Sequence, residues 1–356
     1  MQNTPTIPKI PKDLLNSFFK KANEFYEMAP WELFGDSEFF GVLIPGTKEI
    51  HFVSIMGGGG QCFGLATYRG THGLNFLLDL LSSEMDLDDP FEVRLDQDGL
   101  LLEFTTKKFL DPDDLKLVKE ANYKPADSKA WPLLRNLRPG YVPWYLEEND
   151  MASLIAVLTA THSLLDIFDE NPDCLMDAGN SKLPIFVQNQ KTAAWKIEYW
   201  GKKKFHAHQQ NTDLIPKLAS VDELQLQRAR SLKIDPKFNI ELHDFFSKEP
   251  VLEKDRPFFP RVCTILEEAS GFSLGVEILS PEANVSLFFR DTILRKITEL
   301  GKKPKAILVT NPEHVLGVLV FEEALGIEMK ISDVSKHGEE FESSFRAKFE
   351  PAQFEE

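Results

Sequence analysis

Apolar and polar positions recur along this chain with two periods, and the changes between them mark its elements. From Asp13 to Met28, Leu14, Phe18, Ala22 and Phe25 return every three or four residues, one stripe of an amphipathic helix. The period then shortens: EFFGVLI (38–44) and IHFVSIM (50–56) are strand-like runs joined by the turn PGTK, and QCFGLATY (61–68) is a third. Thr71 is placed to cap a helix carrying Leu74, Leu77, Leu78 and Leu81. Asp98-Gly99 marks a hairpin before LLLEFTT (100–106), and Asp111-Pro112 opens a short helix to about residue 121. Glu147 and Glu148 start a longer helix whose stripe runs Met151, Leu154, Ile155, Leu158, His162 and Leu165. LPIFVQN (183–189) and AAWKIEYW (193–200) read as strands, the second turning at Gly201-Lys202 into a return strand.

The last hundred residues alternate between the two periods. FPRVCTILEE and FSLGVEIL form a hairpin through Ala269-Ser270-Gly271. A helix at 282–300, a strand at 306–310, a helix at 312–325 stopped by Gly326, a strand and a last helix follow. That order predicts a parallel strand pair joined by a crossover helix. Residues 122–136 hold prolines and no periodicity and read as an interdomain linker. The expected organisation is therefore a loose tail (1–10), an N-terminal α+β domain with an antiparallel sheet (11–121) and the linker (122–136). A mixed α/β domain ending in a β-α-β-α unit (137–347) follows, with possible halves 137–250 and 256–347, then a frayed tail (348–356).

Composition narrows the function classes. The 356 residues carry a net charge of −16, which keeps a protein soluble and repels polyanions, so nucleic acid is a poor default partner. Cys62, Cys174 and Cys263 are too widely spaced for a zinc ribbon or a disulfide framework. The N-terminus lacks the apolar core of a signal peptide, and no run of residues reads as a membrane span. A reducing cytoplasm is the expected compartment.

The four glycines of SIMGGGGQCFGLATYRG (54–70) lack the Lys and Ser or Thr of a phosphate-cradling loop, and they open a strand instead of a helix. They predict a hairpin turn. EMDLDDP with Asp96 and Asp98 fails the calcium-loop spacing, because Arg94 and Thr105 fall on ligand positions. Cys62 and Cys263 lie in apolar runs and are expected in the core, as is His162. In KTAAWKIEYWGKKKFHAHQQ (191–210), a return strand after Gly201 would set His206 and His208 on one face beside Glu198. Two imidazoles and a carboxylate there would suit a divalent metal such as zinc, with His162 a possible fourth group. Lys202, Lys203 and Lys204 beside Trp200 could instead contact a nucleic acid. Tyr141, Trp144 and Tyr145 in YVPWYL form a Pro-held aromatic cluster, able to anchor a partner if exposed or to staple two domains if buried.

FFGVLI followed by SIMGGGGQCFGLATYRGTHGL resembles the N-terminal region of an uncharacterised two-domain bacterial protein family, with a Phe-Gly-Val strand, a Ser-x-Met-Gly turn and a Tyr-x-Gly entry to a helix. RPGYVPWYLEENDMASL and KPKAILVTNPEHVLGVLVFEEALGIEMKIS are similar to its companion domain. The resemblance implies two domains of unknown function and no catalytic residues. With no catalytic or cofactor motif, the leading expectation is a non-enzymatic binding or regulatory protein that holds another protein, with no cofactor. A metal-dependent hydrolase-like enzyme centred on Glu198, His206 and His208 is the alternative, and a weak nucleic-acid binder the second.

Overall fold

The computed structural model describes residues 7–35, 37–82, 90–175, 182–209, 221–253, 256–332 and 334–350. The chain divides into two units, 2–214 and 215–356, each with its own sheet and core.

In the first unit, α1 (Lys12–Met28) leads into β1 (Phe39–Leu43), β2 (Ile50–Met56) and β3 (Phe63–Arg69), a meander of antiparallel pairs. After α2 (Gly70–Ser82) and α3 (Pro90–Leu95), β4 (Gly99–Thr105) pairs antiparallel with β3. Next comes α4 (Pro112–Glu120), where Pro112 sits in the first turn. Asp111 caps it in a reciprocal box with Asp114. β5 (Trp131–Leu137), α5 (Glu148–Glu170), β6 (Lys182–Gln188), β7 (Trp195–Gly201) and α6 (Lys202–Gln209) complete the unit.

The sheet order is β5-β4-β3-β2-β1-β6-β7, antiparallel throughout except for β1 with β6. On one face lie α1 and α5, through Phe18, Phe25, Met151, Leu154 and Leu158 packed with Phe40, Val53 and Leu102. The other face buries Leu74, Phe76 and Leu77 of α2 and Phe205 of α6 against Phe52, Tyr68 and Trp200. Because both faces are covered, the central strands are buried almost continuously, whereas β5 alternates buried and half-buried positions. Among the described residues α5 is the helix long and apolar enough to cross a membrane, contrary to the expectation of no such run. Its apolar face is buried in this core.

The linker expectation is corrected here. Residues 131–137 are a strand, paired residue by residue with β4 from Gly99↔Leu137 to Thr105↔Trp131. Pro132 is tolerated because β5 ends the sheet, where a missing N–H need not break a ladder. α5, β6 and β7, assigned by sequence to the second domain, build the first, and β6 lies beside β1. The predicted 137–250 half is therefore divided between the two units.

The second unit contains α7 (Glu223–Arg230), β8 (Ile234–Phe246), β9 (Val251–Glu253), β10 (Arg256–Phe258), β11 (Arg261–Glu267), β12 (Ser273–Leu279), α8 (Val285–Leu300), β13 (Lys303–Val309), α9 (Pro312–Leu325), β14 (Glu328–Ile331) and α10 (Lys336–Phe349). Its main sheet runs β12-β11-β8-β13-β14, while β9 and β10 pair separately. β8, β13 and β14 are mutually parallel and β11 and β12 antiparallel to their neighbours, so the predicted β-α-β crossover is present. α7, α8 and α9 bury Leu226, Phe289, Ile293 and Phe321 on the face of Ile240, Leu242, Cys263 and Ile307. α10 covers the opposite face over β8 and β11, with Phe341 and Phe345 against Phe245.

Candidate functional site

The metal set expected from sequence is not assembled. The chain after Gly201 is α6, not a return strand, so His206 and His208 are two helical steps, about 200°, apart. Phe205 explains the choice: it is buried beneath the sheet with its ring 5.9 Å from Phe52. A helix brings it there. His208 Nε2 lies 2.7 Å from the Lys48 carbonyl oxygen, and its ring packs edge-on against Trp200. Glu198 is occupied by Lys196 at 2.6 Å, Lys204 at 2.8 Å and Trp200 Nε1 at 3.1 Å; those hydrogen bonds, Lys196 first, hold its carboxyl down to about 2. Among the described residues no three His, Cys, Asp or Glu side chains form a metal-holding group. Lys202 and Lys203 are exposed, and Lys204 lies over the Trp200 ring. His162 is exposed on α5, not in the core. Cys62 is exposed with φ +50, whereas Cys174 and Cys263 are buried.

The aromatic cluster closes on its own unit. Trp144 exchanges both backbone hydrogen bonds with Asn136, extending the β5 edge by one bridge. Tyr145 donates its hydroxyl to Asp111 at 2.7 Å, and the Arg135 guanidinium lies over its ring. Burial, then Asp111, push the Tyr145 phenol upward. Tyr141, Trp144 and Tyr145 are half-buried and Leu146 is core. The segment fastens β5 to the start of α4.

The glycine run is the β2–β3 turn, as its composition predicts. Gly60 N–H donates to the Gly57 carbonyl oxygen at 2.9 Å. Gly57, at φ +129, also leaves room for Trp31 and Phe63, which a Cβ would meet at 2.9 and 2.8 Å. Residues 84–89 of the acidic run lie outside the described residues.

Two polar hubs come from residues far apart in sequence. In the first unit Arg69 donates to Asp98 at 2.6 Å, to Asp150 at 3.0 Å and to the Leu137 carbonyl at 3.2 Å. Asn136 donates to the other Asp150 oxygen at 2.6 Å. Beside it, Thr67 Oγ1 lies 3.2 Å from His51 Nδ1, and His51 Nε2 lies 3.5 Å from Glu49. Hydroxyl, imidazole and carboxylate stand in the order of an activated nucleophile. Yet His51 and Thr67 are buried in the sheet, and Thr67 Oγ1 already accepts the Leu100 N–H. No substrate reaches that hydroxyl in this conformation; the line ties β2, β3 and β4 together.

The second hub is Asp244, near the carboxyl end of β8, where open α/β sheets commonly bind ligands. Its oxygens meet Arg261 Nε and His314 Nε2, the latter at 2.6 Å. Burial alone would raise this carboxyl, but His314 and Arg261 hold it at about 2. His314 is fully buried, its ring 4.5 Å from that of Phe289. A carboxylate so occupied is a poor proton acceptor, and it locks β8, β11 and the first turn of α9 together.

Among the described residues, what remains open is a sheet edge. The two large sheets end in four strands, and three are guarded as edges usually are, by charge, proline or brevity. β5 has Pro132, Arg135 and the Trp144 bridge; β7 has Lys196; β14 is four residues long with Lys330. β12 has seven residues and no Lys, Arg or Pro. A register shift between Ile265 and Leu266 accompanies the turn of Leu274 into the core. Beyond it, Val276 opposite Thr264 and Ile278 opposite Val262 stand on the face that α10 covers over β8 and β11. They are 47 % and 60 % exposed, and Phe272 at the hairpin tip is 67 % exposed.

A model of a domain of unknown function (DUF7309) matches residues 16–185, and one of a second domain of unknown function (DUF6930) matches 225–346. Each of the two stretches is thus similar to a domain of unknown function. No curated protein matches the chain. The first match runs unbroken through residues 122–136, in keeping with β5 as an integral strand, and the gap between the matches contains the division between the units.

Sequence reasoning found FSLGVEIL as a strand but not as an open edge, because edge position depends on which strands pair. The available signal was the absence of any basic residue or proline from 273–279. For the Asp244 hub there was none: Asp244, Arg261 and His314 are separated by 17 and 53 residues and share no spacing motif.

Proposed function

We propose that this protein is a non-enzymatic binding protein whose second unit takes up an extended segment of a partner protein along β12. One observation carries the reading: β12 is a seven-residue edge without Lys, Arg or Pro, its one charge being Glu277, with Val276 and Ile278 exposed beside it. Unpaired edge N–H and C=O groups are a template for a further strand, and proteins use such edges for peptide capture. The occupied state of Asp244, of Glu198 and of the Arg69 hub supports binding over catalysis. The reducing cytoplasm is the proposed compartment, supported by three free thiols.

The test is hydrogen exchange on the full chain, with and without an extended ten-residue peptide of alternating Val and Thr. Slower exchange is expected in 273–279 and lost in the double variant V276K/I278K, whose lysines would guard the edge. If no extended peptide changes exchange there, the reading fails.

A further inference from the structure

We infer that the segment received by β12 is basic as well as extended, with a Lys or Arg between two apolar residues; this rests on the strand-docking reading above. Between Arg261 and Arg290 the chain carries no Lys, Arg or His, but four carboxylates: Glu267, Glu268, Glu277 and Glu282. Glu267 accepts from Ser270, and Glu268 from Asn239 at 2.6 Å. Glu277 and Glu282 are exposed and make no ion pair among the described residues.

The β12 register turns this charge into a pattern. Glu277 lies opposite Cys263, on the face of α7, α8 and α9, whereas Val276 and Ile278 lie opposite Thr264 and Val262 on the face of α10. A strand added to the free side would set one side chain against Glu277 and the flanking two against Val276 and Ile278. Directly opposed charges and apolar pairs both favour cross-strand pairing. The complementary triplet is therefore apolar, basic, apolar. A second copy of this chain fits less well. In the symmetric register that sets Val276 against Val276, Glu277 faces Gly275 and finds no cation, and each chain carries a net charge of −16.

The experiment uses the full chain and three synthetic peptides of identical apolar alternation, with Lys, Ser or Glu at the intervening positions. Affinity is measured by titration at low and at physiological salt, and the docking place by hydrogen exchange. The Lys peptide is expected to bind tightest and to slow exchange in 273–279, with a preference over the Ser peptide of up to about fivefold per ion pair. E277K should reverse the order of the Lys and Glu peptides, read as the ratio of their two affinities, which a merely structural glutamate would not do. Equal binding of all three peptides at β12 would overturn the basic assignment and leave strand docking standing. No protection from any peptide would overturn docking itself. Protection of 273–279 that needs no peptide and grows with protein concentration would make a second copy the occupant, and would overturn both.

Discussion

Gly64 has room for a hydrogen and nothing larger. A Cβ there would lie 2.0 Å from the Leu102 carbonyl oxygen, a backbone atom of the neighbouring strand that cannot swing away. Gly59, five residues earlier in the turn, meets nothing within 4 Å. Gly64→Ala should therefore cost about 3 kcal/mol and Gly59→Ala no more than about 0.5 kcal/mol, as read by urea unfolding. Equal effects would show that Gly64 is not held against the Leu102 carbonyl of the neighbouring strand. His72 offers a second test. Asp96, with an oxygen 3.3 Å from its Nε2, pushes the His72 imidazole up to about 9. A folded pKa above the unfolded value of about 6.5 stabilises fully below pH 6.5 and is lost as pH rises through 9. The stability advantage of the wild type over His72→Gln should accordingly shrink between pH 6 and pH 9.5 in unfolding titrations; a constant difference would rule the pair out as its cause. Single side chains were unevenly legible in the sequence. Phe18, Ala22 and Phe25 follow from their stripe, but His162 on an apolar-looking helix is exposed, because the buried stripe of α5 runs through Leu154, Leu158, Thr161 and Leu164 and leaves position 162 outside it.

The stretch KKFHAH after the turn at 201–203 alternates like a return strand, but one buried position makes it part of α6. Phe205 fills the second face of the sheet beside Phe52, so Phe205→Ala should cost about 3–4 kcal/mol. His206 is exposed, and His206→Ala should change stability by no more than about 0.5 kcal/mol. Thermal unfolding of the two variants separates the helix from the metal-binding strand, for which the losses would be reversed and metal-dependent. Asp111-Pro112 marks the start of α4 in the sequence, and the helix expected at 282–300 is α8, Val285–Leu300, set between Asn284 and Gly301 at φ +66. β5 was hidden for a related reason. Proline and loss of period are true loop signals, but an edge strand that alternates only buried and half-buried positions can carry both.

The chain as a whole holds separate apolar cores, one on each face of the first sheet and one in the second unit. Leu154 is buried in the first unit and Phe289 in the second. Leu154→Ala and Phe289→Ala should each remove about 3 kcal/mol from one unfolding step and leave the other in place, measured by denaturant titration with a probe in each unit. A single transition moved equally by both substitutions would mean that the units unfold as one. The sequence by itself determined the helices, most of the strands, the glycine turn and the closing β-α-β crossover, because each depends on residues within a few positions of one another. It also determined the charge of β12, which no partner in space changes. Only the tertiary structure decided that β6 lies beside β1, that 131–137 is a strand, that Asp244 meets Arg261 and His314, and that β12 ends its sheet. Strand neighbours are chosen across tens of residues by which apolar faces bury one another, and no local period records that choice.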